Sequence, residues 1–463
     1  PPPLFNQPPT TYTNTSDVSS AASDVYKRQV HHKKHLSFAA LRKSLSEHFR
    51  QIDDQRQTAK VDYRLYDCLM SGFAMMFFQD TSLLTFQKRL QDGIQRNNLT
   101  TIFDINDIPK DTQMRSVLDP IAPWQLHGPF ADFLHRLQRG KHLVNYQFFD
   151  DSYLVSIDGS QYFSSEKISC PHCLVTESKG HVRYHHQILQ SVIVHPDMRQ
   201  VLPLAPEAIS NRDGTKKQDC ERNAAKRVVD NIRATYPRLK ITVTADALYS
   251  NQPFIDELKK ARMSFILVAK PTDHKVLFEW VNDLIALGDG HSLELVDEKG
   301  RRHCYQWVNQ VPLNGTKDAD LVNFFQYQIV AKTGKVTYKN SWVTDIDVNA
   351  NNVVNLVKGG RARWKIENET FNTLKNQGYH IEHNFGHGQQ NLSMIFFVLN
   401  LLAFYVHQIL ELTDPLYHKV RYTKFTSRKE YWNQLRCTIR ILIFPRWESL
   451  LQFILDPESG IPP

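Results

Sequence analysis

Two apolar stretches of this chain end in the same way. Tyr153-Leu-Val-Ser-Ile runs into Asp158-Gly159, and Lys240-Ile-Thr-Val-Thr-Ala runs into Asp246-Ala247. Each reads as a buried strand closed by a carboxylate. Between them, Gln218 to Tyr236 repeats apolar residues at Ala224, Ala225, Val228, Val229 and Ile232, which is the period of an amphipathic helix. Further strands are expected at Val182–Leu189, Ser191–His195 and Met263–Ala269, with a helix over Pro253–Ala261. Strand–helix alternation of this kind constrains the middle of the chain to an α/β core. Both aspartates then stand at strand ends, where such sheets place ligand groups.

The flanks have a different texture. Phe38, Leu41, Leu45 and Phe49 repeat at three and four, and Tyr63–Phe78, Thr81–Leu90 and Trp124–Leu137 continue as helices. After a helix over Phe278–Leu287, two hairpins are expected. His291–Val296 turns at Glu298-Lys-Gly300 into His303–Val308, and Phe324–Ala331 turns at Thr333-Gly334 into Val336–Trp342. Helix resumes near Asn351 and runs through Arg363-Trp-Lys-Ile-Glu367. Residues 1–30 carry five prolines and no apolar period, so disorder is expected there; Ser19–Gln29 resembles translated adaptor read-through rather than native protein.

Composition excludes several classes. With 463 residues and 41% hydrophobic content the chain can bury a large core, and six cysteines in this length do not form a disulfide scaffold. The longest apolar run, Met394–Leu399, reaches Val406 only across Asn400, too short to span a bilayer; no secretory signal is visible, and a soluble intracellular protein is expected. The net charge is +8, and +7 of it falls between Pro415 and Arg446. There Lys419, Arg421, Lys424, Arg428, Lys429, Arg436, Arg440 and Arg446 face only Glu430, with Tyr417, Tyr422, Phe425, Tyr431 and Trp432 interleaved. Cations for phosphates and aromatics for bases suit a nucleic-acid surface, with Lys424, Arg428 and Lys429 as its expected contacts; the bland alternative is a solvated helix pair.

A third carboxylate joins the two aspartates. Trp364, Phe371 and Leu374 define one helical face, and Glu367 lies on it. A carboxylate on a buried face needs compensation, and three converging carboxylates would find it in Mg²⁺ or Mn²⁺. Two such ions activate a water or 3′-hydroxyl for phosphodiester chemistry. Taken singly, each acid reads better as a turn former or a salt-bridge partner. Glu369 is the rival third ligand, but it lies off the Trp364/Phe371 face.

Ile157-Asp158-Gly159, Thr244-Ala-Asp246-Ala247-Leu-Tyr249 and Arg363-Trp-Lys-Ile-Glu367 resemble bacterial insertion-sequence transposases of the DDE type, and more narrowly insertion-sequence family four and its relatives. Ser341-Trp-Val-Thr-Asp345 resembles the strand that family places before its glutamate helix. The resemblance covers roughly residues 36–410. It implies an RNase H-like core with a β insertion between Asp246 and Glu367, and Asp158, Asp246 and Glu367 as catalytic acids holding two Mg²⁺ or Mn²⁺ ions. It further implies double-stranded DNA at element ends and target as partner, a homodimer in the DNA complex, and a bacterial, nucleoid-associated cytoplasmic location. The family's helix signature is Tyr-x₂-Arg-x₃-Glu-x₆-Lys. Arg363 carries over as a phosphate contact. Gly360 stands where the tyrosine is expected, and Lys375 follows Glu367 with seven intervening residues instead of six, so its DNA contact carries over only as a hypothesis.

Three smaller constellations remain. Cys170-Pro-His-Cys173 is followed by His181, His185 and His186. Zn²⁺ on Cys170, Cys173, His181 and His185 is one reading, and a reduced turn with surface histidines is the expected one. His383 and His387 read as part of a loop contacting DNA or closing the helix. Asp219 and Glu221 open a helix and read as partners of its dipole.

The expected fold is therefore α/β: an RNase H-like catalytic core with an inserted β unit, a helical N-terminal domain and a basic helical C-terminal region. The expected boundaries are 31–144 for the helical domain, 145–276 for the first part of the core, 277–349 for the insertion, 350–410 for the second part and 411–463 for the basic region. The expected function is metal-dependent cleavage at element ends followed by strand transfer. The rivals are an inactive, transposase-derived DNA-binding protein and a host metal-dependent nuclease.

Overall fold

The computed structural model describes residues 35–57, 61–91, 93–210 and 218–458, so the expectations for residues 1–30 lie outside it. Six helices come first: α1 (Phe38–Arg50), α2 (Leu65–Phe77), α3 (Leu83–Leu90), α4 (Gly93–Phe103), α5 (Asp111–Leu118) and α6 (Gly128–Arg139). Ser37 and Ser82 start α1 and α3 by accepting backbone N–H groups of Ala40 and Thr85. Every residue of α2 is buried, so it is a central helix rather than an amphipathic one.

Strands follow: β1 (Tyr153–Ser165), β2 (Leu174–Ser178), β3 (His181–Val194), β4 (Leu202–Pro203) and β5 (Glu207–Ile209). Helix α7 (Glu221–Thr235) leads to β6 (Ile241–Ala245), α8 (Gln252–Lys260) to β7 (Ser264–Val268), and α9 (Lys275–Leu287) to β8 (His291–Val296), β9 (Arg302–Pro312), β10 (Leu321–Val330) and β11 (Val336–Thr344). All eleven lie in one mixed sheet ordered β2-β3-β1-β6-β7-β11-β10-β9-β8, with β4 and β5 on β3. β1, β6 and β7 are parallel, and β6 is buried along its whole length, as a strand covered on both faces must be.

Two expectations change here. The stretches at 182–189 and 191–195 are one strand, because β3 pairs with β1 continuously through Leu189, Gln190 and Ser191. Asp158 is not at the end of β1, which runs seven residues beyond it against β3; what ends near Asp158 is the parallel ladder to β6, whose last pair is Ser156 with Thr244. The expected β insertion continues the same sheet, since β11 pairs with β7.

The chain then forms α10 (Val353–Ala362), a π-helical turn (Ile366–Phe371), α11 (Asn372–Asn376) and α12 (Leu392–Thr413). Gly360, where the family's tyrosine would stand, lets α10 lie directly on β11: a Cβ there would press into the Trp342 indole. Among the described residues α12 is the one helix long and apolar enough to cross a bilayer, a correction to the shorter apolar run read from the sequence; 94% of its most apolar stretch is buried inside the protein.

Helices α13 (Pro415–Lys424), α14 (Arg428–Ile441) and α15 (Trp447–Leu455) complete the chain. They fold back on the N-terminal helices: the Asn98 amide donates to Ile439 O and Leu442 O, and Arg436 donates to Phe78 O and Gln79 O. Phe38, Phe77, Trp432, Trp447 and His407 form one aromatic cluster across α1, α2, α14, α15 and α12. The N-terminal helices, the C-terminal helices and α12 therefore share one hydrophobic core with the sheet.

Candidate functional site

The register of β1 on β6 builds the site. Ser156 pairs with Thr244, and two residues further on each backbone carries an aspartate. Side chains repeat with a period of two on extended chain, so Asp158 and Asp246 project from the same face of neighbouring strands, about 4.8 Å apart in the hydrogen-bonding direction. Asp246 is still extended and caps a short turn by accepting the Leu248 N–H at 2.9 Å; Asp158 accepts the Gly159 N–H at 3.0 Å.

Glu367 reaches this face from the π turn. The Ser156 hydroxyl, one pleat before Asp158, donates to Arg363 O at 3.2 Å and so fixes the helix on the strand. Arg363 Nη1 lies 2.7 Å from Glu367 Oε1 and 4.0 Å from Asp158 Oδ2, and its side chain is only 9% exposed. It is a bridge between two acids, and not the open phosphate contact expected from the sequence. Burial pushes the Asp158 carboxyl up to about 7; Arg363 opposes that rise, while the charges of Glu367, Asp246 and Glu221 add to it.

Glu221 is the residue that the sequence reading missed. It is the acid in the first turn of α7, as expected, but its carboxylate also accepts from the Tyr249 hydroxyl at 3.2 Å and from the Gln187 amide. Burial, reinforced by the Asp246 charge, raises its carboxyl above the usual range. It packs so tightly on Gly159 that a Cβ there would overlap its carboxylate, which gives the Asp-Gly pair a physical reason. The neighbouring Asp219 pairs instead with Arg227 at 2.7 Å.

Arg363 pairs with Asp158 and Glu367 alone, while the charges of Asp246 and Glu221 also reach Asp158, which leaves an excess of negative charge on hard oxygen donors in a partly desolvated place. Mg²⁺ or Mn²⁺ fits that donor set, whereas a thiophilic metal does not. Glu369 is not in the group; the charge it influences is Lys365, whose ammonium donates to Met198 O at 2.7 Å. Trp364, expected on the buried face with Glu367, is 49% exposed, and the buried face is carried by Ile366, Thr370, Phe371 and Leu374.

The other candidates separate. Lys375 pairs with Glu382 Oε1 at 2.9 Å. Lys424 and Lys429 are exposed on the C-terminal helices, but Arg428 is spent on Glu411 at 2.8 Å in a nearly closed pair. Tyr417, Tyr431 and Trp432 are buried, so these interleaved aromatics are core and not a stacking surface. Cys170 and Cys173 do not meet His181 or His185. His181 is exposed at the start of β3, and the strand's alternation turns His185 to one face and His186 to the other, so the cysteines meet His186 and the distant His387.

Fold and site thus define an α/β protein in which Asp158, beside the parallel ladder, feels the charges of Glu367, Asp246 and Glu221. The transposase DDE domain family matches residues 175–404, a stretch that contains Glu221, Asp246 and Glu367 and begins after Asp158. That match supports a DDE transposase, which implies an enzyme of the polynucleotidyl transferase or nuclease type with DNA as partner. No curated protein matches the chain.

Proposed function

We propose that the chain is a transposase resembling insertion-sequence family four, which cuts DNA at the ends of its element and joins the freed 3′-hydroxyl to a target. One observation carries this reading: the β1–β6 register sets Asp158 beside Asp246, and a single guanidinium ties Glu367 to Asp158. The strand order β2-β3-β1-β6-β7, antiparallel strands joined to a parallel unit, supports an RNase H-like core. Strands β8–β11, lying between Asp246 and Glu367 in the chain, support the family's β insertion.

Asp158, Asp246 and Glu367 would hold the divalent ions, with Glu221 against them. Bound there, a pair of such ions activates a water or 3′-hydroxyl and stabilises the leaving oxygen. Arg363 holds Glu367 toward Asp158 and limits the repulsion between them. Tyr249 and Gln187 orient Glu221, and Glu367, at 37% side-chain exposure, is open to a strand arriving from solvent. The π turn also accounts for the one-residue departure at Lys375. On a regular helix an extra residue would rotate Lys375 by ~100°, but a π turn takes up that residue. Lys375 thereby keeps the phase relative to Glu367 that the family's signature gives its lysine.

Purified protein is incubated with DNA bearing the gene's flanking ends and Mg²⁺ or Mn²⁺. Nicks at the ends and joined products are expected, both lost in Asp246→Asn while end binding persists. Binding without cutting by the native chain would identify an inactive DNA-binding protein. Cutting indifferent to the ends would identify a nuclease.

A further inference from the structure

We propose that Cys170, Cys173, His186 and His387 hold one structural zinc ion that fastens the loop after the glutamate helix to the β1–β2 turn and strand β3. The two cysteines sit on a tight turn between β1 and β2, where Cys173 N–H donates to Cys170 O at 3.1 Å. His186 comes from β3, and His387 from the loop that joins α11 to α12. The Sγ atoms are 3.7 Å apart. His186 Nε2 is 3.5 Å from each sulfur, His387 Nε2 is 3.4 Å from Cys173 Sγ, and the two nitrogens are 3.1 Å apart.

These separations are five of the six edges of one tetrahedron, and the sixth, Cys170 to His387, is within 4.8 Å. Zinc bonds of about 2.3 Å to sulfur and 2.0–2.1 Å to nitrogen require edges of roughly 3.8 Å for S–S, 3.6 Å for S–N and 3.3 Å for N–N. A disulfide would bring the sulfurs to about 2.05 Å, so the pair is not one. Cys173, His186 and His387 are buried, at 3%, 7% and 7% exposure, which suits a closed four-ligand site without a place for substrate. The His387 Nδ1–H donates to Gly388 O at 3.0 Å, which leaves Nε2 as the lone pair facing the cluster. Phe163 and Tyr162 pack on the imidazoles and exclude water.

The link joins residues 214 apart in sequence, Cys173 and His387. On the far side of the loop, the Asp119 carboxylate accepts the N–H groups of Gln389, Gln390, Asn391 and Leu392 and so caps α12. The zinc and Asp119 together hold the segment between the acid-bearing helix and the buried helix from both sides. This role is independent of the carboxylate cluster.

The full chain, untagged and grown with zinc, is assayed for metal by mass spectrometry and for its ligand shell by X-ray absorption. One zinc per chain is expected, with two sulfurs at about 2.3 Å and two nitrogens at about 2.0–2.1 Å. His387→Ala and Cys173→Ser should lower zinc to background. His181→Ala and His185→Ala should keep it, and Asp246→Asn should keep it while losing cleavage. If the cysteine variant fails to fold, the native ligand shell still decides. A shell without sulfur, a zinc-free native chain that takes up none when zinc is added, or loss of zinc in His185→Ala overturns the proposal.

Discussion

At Asp158 burial and like charge work against ionisation, and Arg363 works for it. Whatever removes one carboxylate charge from this balance should leave the helix and its DNA approach intact while weakening cation binding. Glu367→Gln is therefore expected to bind element-end DNA normally and to cut it more than about 100-fold more slowly, a larger loss than an outer partner causes. Glu369→Gln, beside Lys365 and away from the acids, should cut nearly as the native chain does. A gel assay of labelled ends separates the two, and equal loss in both would place the third ligand wrongly. Gly159→Ala is a subtler probe, because the new methyl pushes the Glu221 carboxylate off Tyr249 and Gln187. Overpacking of this size costs about 1–3 kcal/mol of stability, yet cleavage should fall with it and fall likewise in Glu221→Gln. Unchanged cleavage in both variants would show that Glu221 is not needed. Glu367 was picked out by a helical phase that the structure does not keep: Trp364, used to define it, is exposed, and the segment is a π turn. Glu221 was not legible: a helix-opening acid looks alike whether it serves only its own dipole or also leans across to Tyr249, 28 residues away.

At the scale of elements, the C-terminal helices show how charge counting misleads. At least three of the eight cations are spent internally: Arg421 donates to Phe425 O, Arg428 to Glu411, and Arg436 to Phe78 O and Gln79 O. Glu411 is 2% exposed, so Arg428→Ala would leave a buried carboxylate alone, and a loss of about 3–5 kcal/mol in urea unfolding is expected. A change below about 1 kcal/mol would mean that the pair is solvated. Lys424→Ala with Lys429→Ala should instead leave stability unchanged and flatten the salt dependence of DNA binding by about two units or fewer, at ~0.9 per phosphate contact. An unaltered slope would put the DNA path elsewhere. The excess charge of this segment was plain from its residues. Which cations remained for a partner depended on carboxylates and carbonyls contributed by α12 and by the N-terminal helices.

Across the whole molecule, His407 marks where the parts meet. It lies on α12, its ring 4.6 Å from Phe77 and 4.3 Å from Trp432, with Nδ1 2.6 Å from the Tyr379 hydroxyl. Burial first, and the Arg428 charge second, hold its imidazole well below the ordinary 6.5. The unfolded chain therefore binds a proton that the folded chain refuses, so stability is complete above about pH 6.5 and is lost as the pH falls below it. His407→Gln should reduce the steepness of that loss by up to ~1.4 kcal/mol per pH unit, read from urea midpoints between pH 5 and 7. An unchanged slope would assign the acid sensitivity to other histidines. The sequence alone determined the alternation of strand and helix, the aspartates that close two apolar runs and the excess of cations near the C-terminus. Each of these is a property of a side chain relative to its own backbone, which periods of 2 and 3.6 encode directly. The tertiary structure decided that His186 and His387 would meet the cysteines, that Glu221 would join the acids, that Arg428 would turn inward, and that both helical ends would close around α12. Those outcomes depend on which distant surface arrives opposite a given face, and no local period carries that information.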